Sequence, residues 1–211
     1  MTDQIAVLKD VNDLETLKSI CMETFTPAAG EKLVFGEGPE KSVLMLIGEA
    51  PGEEEAKSGH PFVGNSGRLL NKYLEEAEIG RETVYITNII KTRPPGNRKP
   101  KSSEISQAMP FLKRQIELVN PEIVICLGST SAQAIVDPKA KITELRGTWV
   151  ERDGIKIMPS FHPSAVFRDE EKRKLLKRDI IEAGGMLKHL CSIAEAWKGR
   201  ILLNKGYNII L

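Results

Sequence analysis

Three side chains, each in a short segment pinned by glycine, proline or the end of an apolar run, could contact a flat, hydrogen-bonding ligand. Phe62, within Gly59-His-Pro-Phe-Val-Gly64, offers a ring on a stiff loop, which suits the face of a nucleobase. Asn88 presents a donor and an acceptor side by side, as reading a base edge requires. His162 could donate a hydrogen bond to developing negative charge. The alternatives are a core phenylalanine, a turn asparagine and a structural histidine.

A glycine-bounded turn, Gly48-Glu-Ala-Pro-Gly52, follows an apolar run at the place where an open α/β sheet presents its ligands. Its continuation to Lys57-Ser58 superficially resembles a phosphate-binding loop. However, the glycine before the lysine is absent, and the three glutamates at 53–55 would repel phosphate. The sequence therefore disfavours a small-molecule nucleotide-binding protein.

The segment 91–101 contains five basic residues and no acid, and its prolines supply stiffness. Because the formal net charge of the chain is only +1, local clustering is what can indicate a charged partner. A rigid basic loop beside the presumed site predicts contacts with the phosphate backbone of a nucleic acid, and a solvated charged loop is the alternative. The predicted phosphate contacts are Lys91, Arg93, Arg98, Lys99 and Lys101.

These residues need a scaffold, and the hydrophobic pattern predicts one. Three continuous apolar runs, 43–48, 84–88 and 123–128, are typical of parallel strands buried on both faces. Helical spacing fills the gaps at 66–77 and 103–118. A hairpin is predicted about Asp153-Gly154, followed by a charged amphipathic helix over about 169–197. We expect an α/β fold: a three-layer αβα domain around a central, mostly parallel, four-stranded sheet.

Composition is consistent with one domain over 1–211, with a core at about 15–195 and a C-terminal extension at about 199–211. With 28% charged and 41% hydrophobic residues, it excludes a collagen, a coiled coil or a disordered tail. No apolar run approaches the roughly 20 residues that cross a bilayer, and no secretory signal is recognisable, so a cytoplasmic protein is expected. Cys21, Cys126 and Cys191 form no CxxC pair, which predicts reduced thiols.

Taken in order and spacing, these motifs closely resemble the family 4 uracil-DNA glycosylases over roughly residues 15–195. Each motif is weak by itself, but the ordered set is specific. The matching segments are Gly48-Glu-Ala-Pro-Gly52, Gly59-His-Pro-Phe-Val-Gly64, Ile86-Thr-Asn88, Lys91-Thr-Arg-Pro-Pro-Gly-Asn-Arg-Lys-Pro100 and His162-Pro-Ser164.

The resemblance implies a role for each residue of the set. Glu49 would position or activate water, and Glu55 would be a second acidic group in the same site. Phe62 would stack on the flipped uracil, and Asn88 would read its edge. His162 would stabilise negative charge at the uracil oxygen as the base leaves.

Further implied contacts lie in the same motifs. Ala50 and Ser164 are assigned to substrate binding, and the loop 162–167 would enter the minor groove. In family 1 enzymes an aspartate stands where this chain has Ala50, and a thymine-excluding tyrosine stands where it has Gly52. Water activation and thymine exclusion must therefore be arranged differently here.

The chain departs from the family at the iron–sulfur site. Family 4 enzymes usually hold a 4Fe-4S cluster on four cysteines, of which only Cys21 is matched. Thr24, Thr92 and Ala108 occupy the other three positions and cannot supply thiolates. The sequence therefore predicts no iron–sulfur cluster and no other metal or cofactor.

The resemblance implies a monofunctional glycosylase that hydrolyses the N-glycosidic bond of deoxyuridine in single- and double-stranded DNA. It would leave an abasic site without strand cleavage and would start base excision repair. A monomer without membrane contact is expected. The alternative is a non-catalytic or altered-specificity DNA-binding member of the same fold, suggested by the lost cluster.

Overall fold

The computed structural model describes residues 8–204, with side chains through 192, and its centre is a five-stranded sheet. The spatial order is β2-β1-β3-β5-β4, with only β4 antiparallel to its neighbour. The α/β fold with a mostly parallel sheet is thus confirmed. There are five strands rather than four because both arms of the predicted hairpin join the sheet. The strands are β1 (Leu44–Gly48), β2 (Tyr85–Asn88), β3 (Ile123–Leu127), β4 (Val150–Arg152) and β5 (Ile155–Ser160).

Helices cover both faces of the sheet, because successive strand residues point to opposite sides. Leu44 and Leu46 of β1 pack on the side of α3 and α7, whereas Met45 and Ile47 pack on the side of α4 and α5. The helices are α1 (Leu14–Thr24), α2 (Glu53–Ser58), α3 (Asn65–Glu76), α4 (Ser102–Val119), α5 (Ser129–Ile135), α6 (Ile142–Leu145) and α7 (Glu170–Asn204). Short 3-10 turns span Arg81–Thr83, Pro95–Asn97 and Pro163–Val166.

Helix α1 packs against α4 through a third, smaller core. Leu17 and Cys21 of α1 lie with Phe35 and Phe111 in this cluster, and all four side chains are buried. At the other end, α7 continues past the predicted limit at 197 to Asn204. The remainder of the predicted extension, 205–211, lies outside the described residues. Within the part of the chain that is described, no helix combines the length and apolarity needed to span a membrane.

Candidate active site

A cavity of about 480 Å³ opens at the carboxyl ends of the parallel strands. It lies where ligands bind in open α/β sheets, because the loops that follow neighbouring strands converge at that edge. All of the side chains predicted to be catalytic or substrate-binding line it: Glu49, Ala50, Glu55, Phe62, Asn88, His162 and Ser164. The structure therefore brings together residues that are up to 115 positions apart in the sequence, from 49 to 164.

Asn88 ends β2 with its side chain buried and one polar atom unsatisfied. The residue is 1% exposed, and its Oδ1 atom has no hydrogen-bond partner among the residues that the structure describes. An unpaired buried acceptor is costly, so it indicates a position where a ligand donor completes the hydrogen bond. Space for that arrangement comes from Gly48, which is paired with Asn88 in the sheet. A β-carbon at Gly48 would lie 2.7 Å from Cζ of Phe62 and would also overlap Asn88 Oδ1.

Phe62 forms one wall of the cavity, and its backbone adopts the left-handed conformation with φ of 54°. Its ring is buried and lies 5.7 Å from the His162 ring, centroid to centroid, at an interplanar angle of 38°. Gly67 allows this arrangement because a β-carbon there would overlap the Phe62 carbonyl group. The ring predicted to stack on a base is therefore held beside the predicted hydrogen-bond donor.

Glu55 lies at the cavity, as predicted, but its carboxylate holds the protein backbone together. Oε1 accepts N–H groups from Val63 at 2.9 Å and Gly64 at 2.8 Å, and Oε2 accepts the N–H of Gly52 at 3.1 Å. Because both oxygens are engaged, the side chain ties the turn that follows β1 to the loop that carries Phe62. This geometry favours a positioning role over water activation.

Glu49 is the other carboxylate of the cavity, and it has a partner that the sequence did not indicate. Thr130 Oγ1, at the start of α5, donates a hydrogen bond to Glu49 Oε2. Thr130 is 5% exposed, so this hydroxyl fixes the carboxylate from within the protein. The available signal was the position of Thr130 three residues after the end of β3, at the edge of the sheet where the other site residues lie.

His162 is arranged as a neutral hydrogen-bond donor. Its Nδ1 accepts the backbone N–H of Ser164 at 3.1 Å and lies 2.7 Å from the Ser164 hydroxyl. A backbone N–H can only donate, so the ring proton is on Nε2. Burial lowers the pKa of His162 to about 4, which keeps the imidazole neutral at neutral pH. Ser164, predicted to bind substrate, thus also fixes the tautomer.

The prediction that Lys91 contacts DNA phosphate is wrong, because this side chain is buried. Its Nζ donates to Thr87 Oγ1 at 2.8 Å, to the Asn88 carbonyl at 2.8 Å and to Gln115 Oε1. Three acceptors match the three N–H bonds of an ammonium group, although burial lowers the pKa of Lys91 to about 7. Lys91 supports the end of β2 from inside.

The two arginines of the basic loop are paired with acids. Arg93 lies 2.9 Å from Glu31 and 3.6 Å from Glu53. Arg98 forms a two-pronged pair with Glu104, with N–O distances of 2.6 and 2.8 Å. This pairing and a backbone hydrogen bond lower the pKa of Glu104 to about 2. The exposed lysines of the loop, Lys99 and Lys101, are the remaining predicted phosphate contacts.

The residues at the iron–sulfur positions do not fit a cluster. Cys21 is buried in α1, and burial raises the pKa of its thiol to about 11, which disfavours the thiolate. Thr24 Oγ1 donates to the Ile20 carbonyl at 2.8 Å. The rings of Phe25 and Phe111 pack edge to face 5.2 Å apart within the small core that also contains Cys21. Among the described residues no group of three His, Cys, Asp or Glu could hold a metal ion.

Comparison with known proteins identifies the family. The model of the Uracil DNA glycosylase superfamily matches residues 35–183, so the chain belongs to that superfamily. The chain is 42% identical over 160 residues to the type-4 uracil-DNA glycosylase of Thermotoga maritima, covering 74% of this chain and 83% of the relative. It is 40% identical over 155 residues to that of Sulfurisphaera tokodaii, covering 69% and 70%. It is 34% identical over 182 residues to that of Pyrobaculum aerophilum, covering 81% and 91%. The predicted resemblance is confirmed.

Proposed function

We propose that this protein is a monofunctional uracil-DNA glycosylase, which hydrolyses the bond between uracil and deoxyribose in DNA. The observation that carries the proposal is the unsatisfied, buried Oδ1 of Asn88 in a cavity walled by Phe62 and His162. Uracil presents a donor at N3 beside an acceptor at O4, which is the complement of an amide edge. The names of the similar proteins support the same activity.

In this mechanism the target nucleotide leaves the base stack, and its base enters the cavity. Phe62 stacks on the face of the base, while Asn88 Oδ1 accepts the N3–H and its amide nitrogen donates to O4. Breaking the glycosidic bond leaves its electron pair on uracil, and His162 donates from Nε2 to the oxygen that gains negative charge. The sugar becomes positively charged, which the Glu49 carboxylate stabilises.

Water completes the reaction. Its oxygen bonds to the sugar carbon that uracil has left, and Glu49 orients this water and accepts its proton. Thr130 supports the step by fixing one oxygen of Glu49. Among the described residues, those lining the cavity include no lysine or cysteine that could attack the sugar instead. The product is therefore an abasic site in an intact strand.

Contact with DNA involves two neighbouring surfaces. Lys99 and Lys101 are exposed, follow the cavity-lining Arg98 in the sequence, and pair with phosphate. The loop 162–167 enters the minor groove, and its last residue, Phe167, is 42% exposed. Arg173 steadies this loop because its Nη2 donates to the Phe167 carbonyl at 3.2 Å. Single-stranded and mismatched uracil react best because unstacking costs least there. The monomeric state and the cytoplasmic location stay predictions.

The absence of a 4Fe-4S cluster is part of the proposal. It is supported by the residues at the four ligand positions, which offer one buried thiol of raised pKa and no second cysteine. Purified protein is expected to be colourless and to contain no stoichiometric iron or acid-labile sulfide. About four irons per chain, with visible absorbance, would contradict it.

Uracil excision is tested with end-labelled oligonucleotides that contain one uracil, single-stranded and paired with guanine or adenine. We expect strand breaks only after alkali, and none in thymine-containing controls. Breaks before alkali would contradict the monofunctional mechanism. Binding without uracil release would favour the non-catalytic alternative, which the similar proteins do not favour.

A further inference from the structure

Phe62 holds a backbone conformation that its surroundings must impose. A φ of 54° is unusual for a residue with a β-carbon and bulky side chain, and such conformations persist only where neighbouring contacts over-determine them. Glu55 supplies contacts on one side, through the N–H groups of Val63 and Gly64. The contacts on the other side come from a residue with no place in the mechanism above.

That residue is Arg81, in the 3-10 turn Arg81–Thr83. Its guanidinium donates to two successive carbonyls of the aromatic loop, Pro61 at 2.6 Å and Phe62 at 3.3 Å. It also donates to Asn71 Oδ1 at 2.6 Å and to Glu37 Oε1 at 2.7 Å. An arginine can do this because its planar group presents several donors in a fixed geometry.

Glu37 connects this clamp to strand β2. Its backbone N–H donates to the Ile86 carbonyl at 3.0 Å, and its carbonyl accepts the Ile86 N–H at 2.8 Å. Ile86 precedes the base-reading Asn88 by two residues on the same strand. Contacts therefore run from Ile86, on the same strand as Asn88, through Glu37 and Arg81 to the backbone of Phe62. Two walls of the cavity are thus held in position relative to one strand.

We propose that Arg81, anchored by Glu37, is a positioning residue for uracil excision. It fixes the Phe62 ring relative to the Asn88 amide, so that stacking and edge recognition act on one base at once. The inference rests on the proposed function, because it gives Arg81 a role only through Phe62. Arg81 itself does not line the cavity.

The chain offers a matched control. Arg114 also uses its guanidinium to hold a backbone carbonyl, that of Val11, and its side chain is 18% exposed against 25% for Arg81. Neither Arg114 nor Val11 lines the cavity. Arg114→Met therefore reports what the loss of a structural arginine does to stability and rate without altering the aromatic loop.

The experiment is a double-mutant cycle on the single-turnover rate of uracil release from a single-stranded oligonucleotide. The proteins are wild type, Arg81→Met, Phe62→Ala and the double variant, with Arg114→Met as control. Arg81→Met is expected to lower the rate by roughly 10- to 100-fold, the range expected when a reacting geometry is misplaced by about 1 Å. In the Phe62→Ala background the same change should cost less than about 2-fold, because the ring it positions is gone.

Arg81→Met slowing both backgrounds equally, or slowing excision no more than Arg114→Met, would overturn the inference. If Arg81→Met does not fold, the same cycle is run with Arg81→Lys, which keeps the charge but loses the fork, and the same criterion applies. Wild-type protein that releases no uracil refutes the proposed function. Active wild type with an additive cycle refutes the positioning role alone.

Discussion

The cavity and the basic loop 91–101 treat their polar groups in opposite ways. In the cavity, Asn88 keeps an acceptor buried and unsatisfied. In the loop, Lys91 is surrounded by three acceptors, and Arg93 is paired with Glu31 and Glu53. The comparison shows that a polar group indicates a ligand site only where the protein itself does not satisfy its hydrogen bonds or its charge. A run of cations in the sequence does not by itself make a cationic surface.

The largest effect should come from the unsatisfied amide. In the proposed mechanism Asn88→Ala removes an acceptor and a donor to the base at once, so the rate of uracil release should fall by about 10³-fold, the upper end for loss of a site donor. DNA binding should change little, because phosphate contacts position and base contacts specify. Single-turnover excision and binding to an uncleaved uracil oligonucleotide measure the two effects. The control is Asn65→Ala, which removes the amide of an exposed asparagine of α3 and should leave the rate of release unchanged. If Asn88→Ala releases uracil as fast as wild type, Asn88 is not part of the site.

A smaller loss is expected at the neutral histidine. In the proposed mechanism His162→Ala removes one donor to the departing base, which should slow release by about 10²-fold. Because the pKa of His162 is about 4, its protonation should not alter the wild-type rate between about pH 5.5 and 8, a range in which an ordinary histidine titrates. Rate profiles of wild type and variant over that range test this. A step near the ordinary histidine pKa of about 6.5 that disappears in His162→Ala would show that the cationic form matters.

The buried Lys91 of the basic loop should make the free energy of unfolding depend on pH. Its pKa is about 7 in the folded protein and near 10.5 when unfolded, so between these values the unfolded state binds more protons. The free energy of unfolding should therefore rise with pH from about 7 to 10, with a contribution from Lys91 of at most about 1.4 kcal/mol per pH unit. Urea unfolding of wild type and Lys91→Met measures it.

The variant should lose this rising component, although it also leaves three acceptors without a donor. Lys113→Met, at an exposed position of α4, is the matched control and should keep the slope. If Lys91→Met retains the slope, the buried amine of the wild type stays charged across this pH range because its hydrogen bonds stabilise the charge.

The smallest effect separates free from paired cations in the same loop. Lys99→Ala and Lys101→Ala should each reduce the magnitude of the log–log salt slope of DNA binding by roughly 0.7 to 0.9 for each phosphate that is no longer neutralised. Arg93→Ala should change it less, because its charge is already compensated by Glu31 and Glu53. Each variant is made in a Glu49→Gln, His162→Ala background, and the slopes are obtained from its DNA binding between low and moderate salt. Equal slopes in all variants would place the DNA on another surface.

The sheet and most of the cavity-lining residues could be predicted from the sequence for one physical reason. Strands buried on both faces read as continuous apolar runs, and the polar residues that end such runs must meet at one edge. Sequence reasoning did not find Thr130 or Arg81, because their partners Glu49 and Glu37 are 81 and 44 positions away. The burial of Lys91 was missed for the same reason: one acceptor, Gln115, lies on α4, 24 positions away.

The pairing of Glu37 with Ile86 has a second consequence, which concerns the exposure of the sheet edge to other protein chains. β2 is a terminal strand, and unpaired backbone groups on such a strand can recruit a strand from another chain. Glu37 occupies the outer side of β2 through its two hydrogen bonds with Ile86. The opposite border is the three-residue β4, which carries the exposed charges of Glu151 and Arg152. One border is capped and the other is short and charged, which protects the sheet against edge-to-edge aggregation.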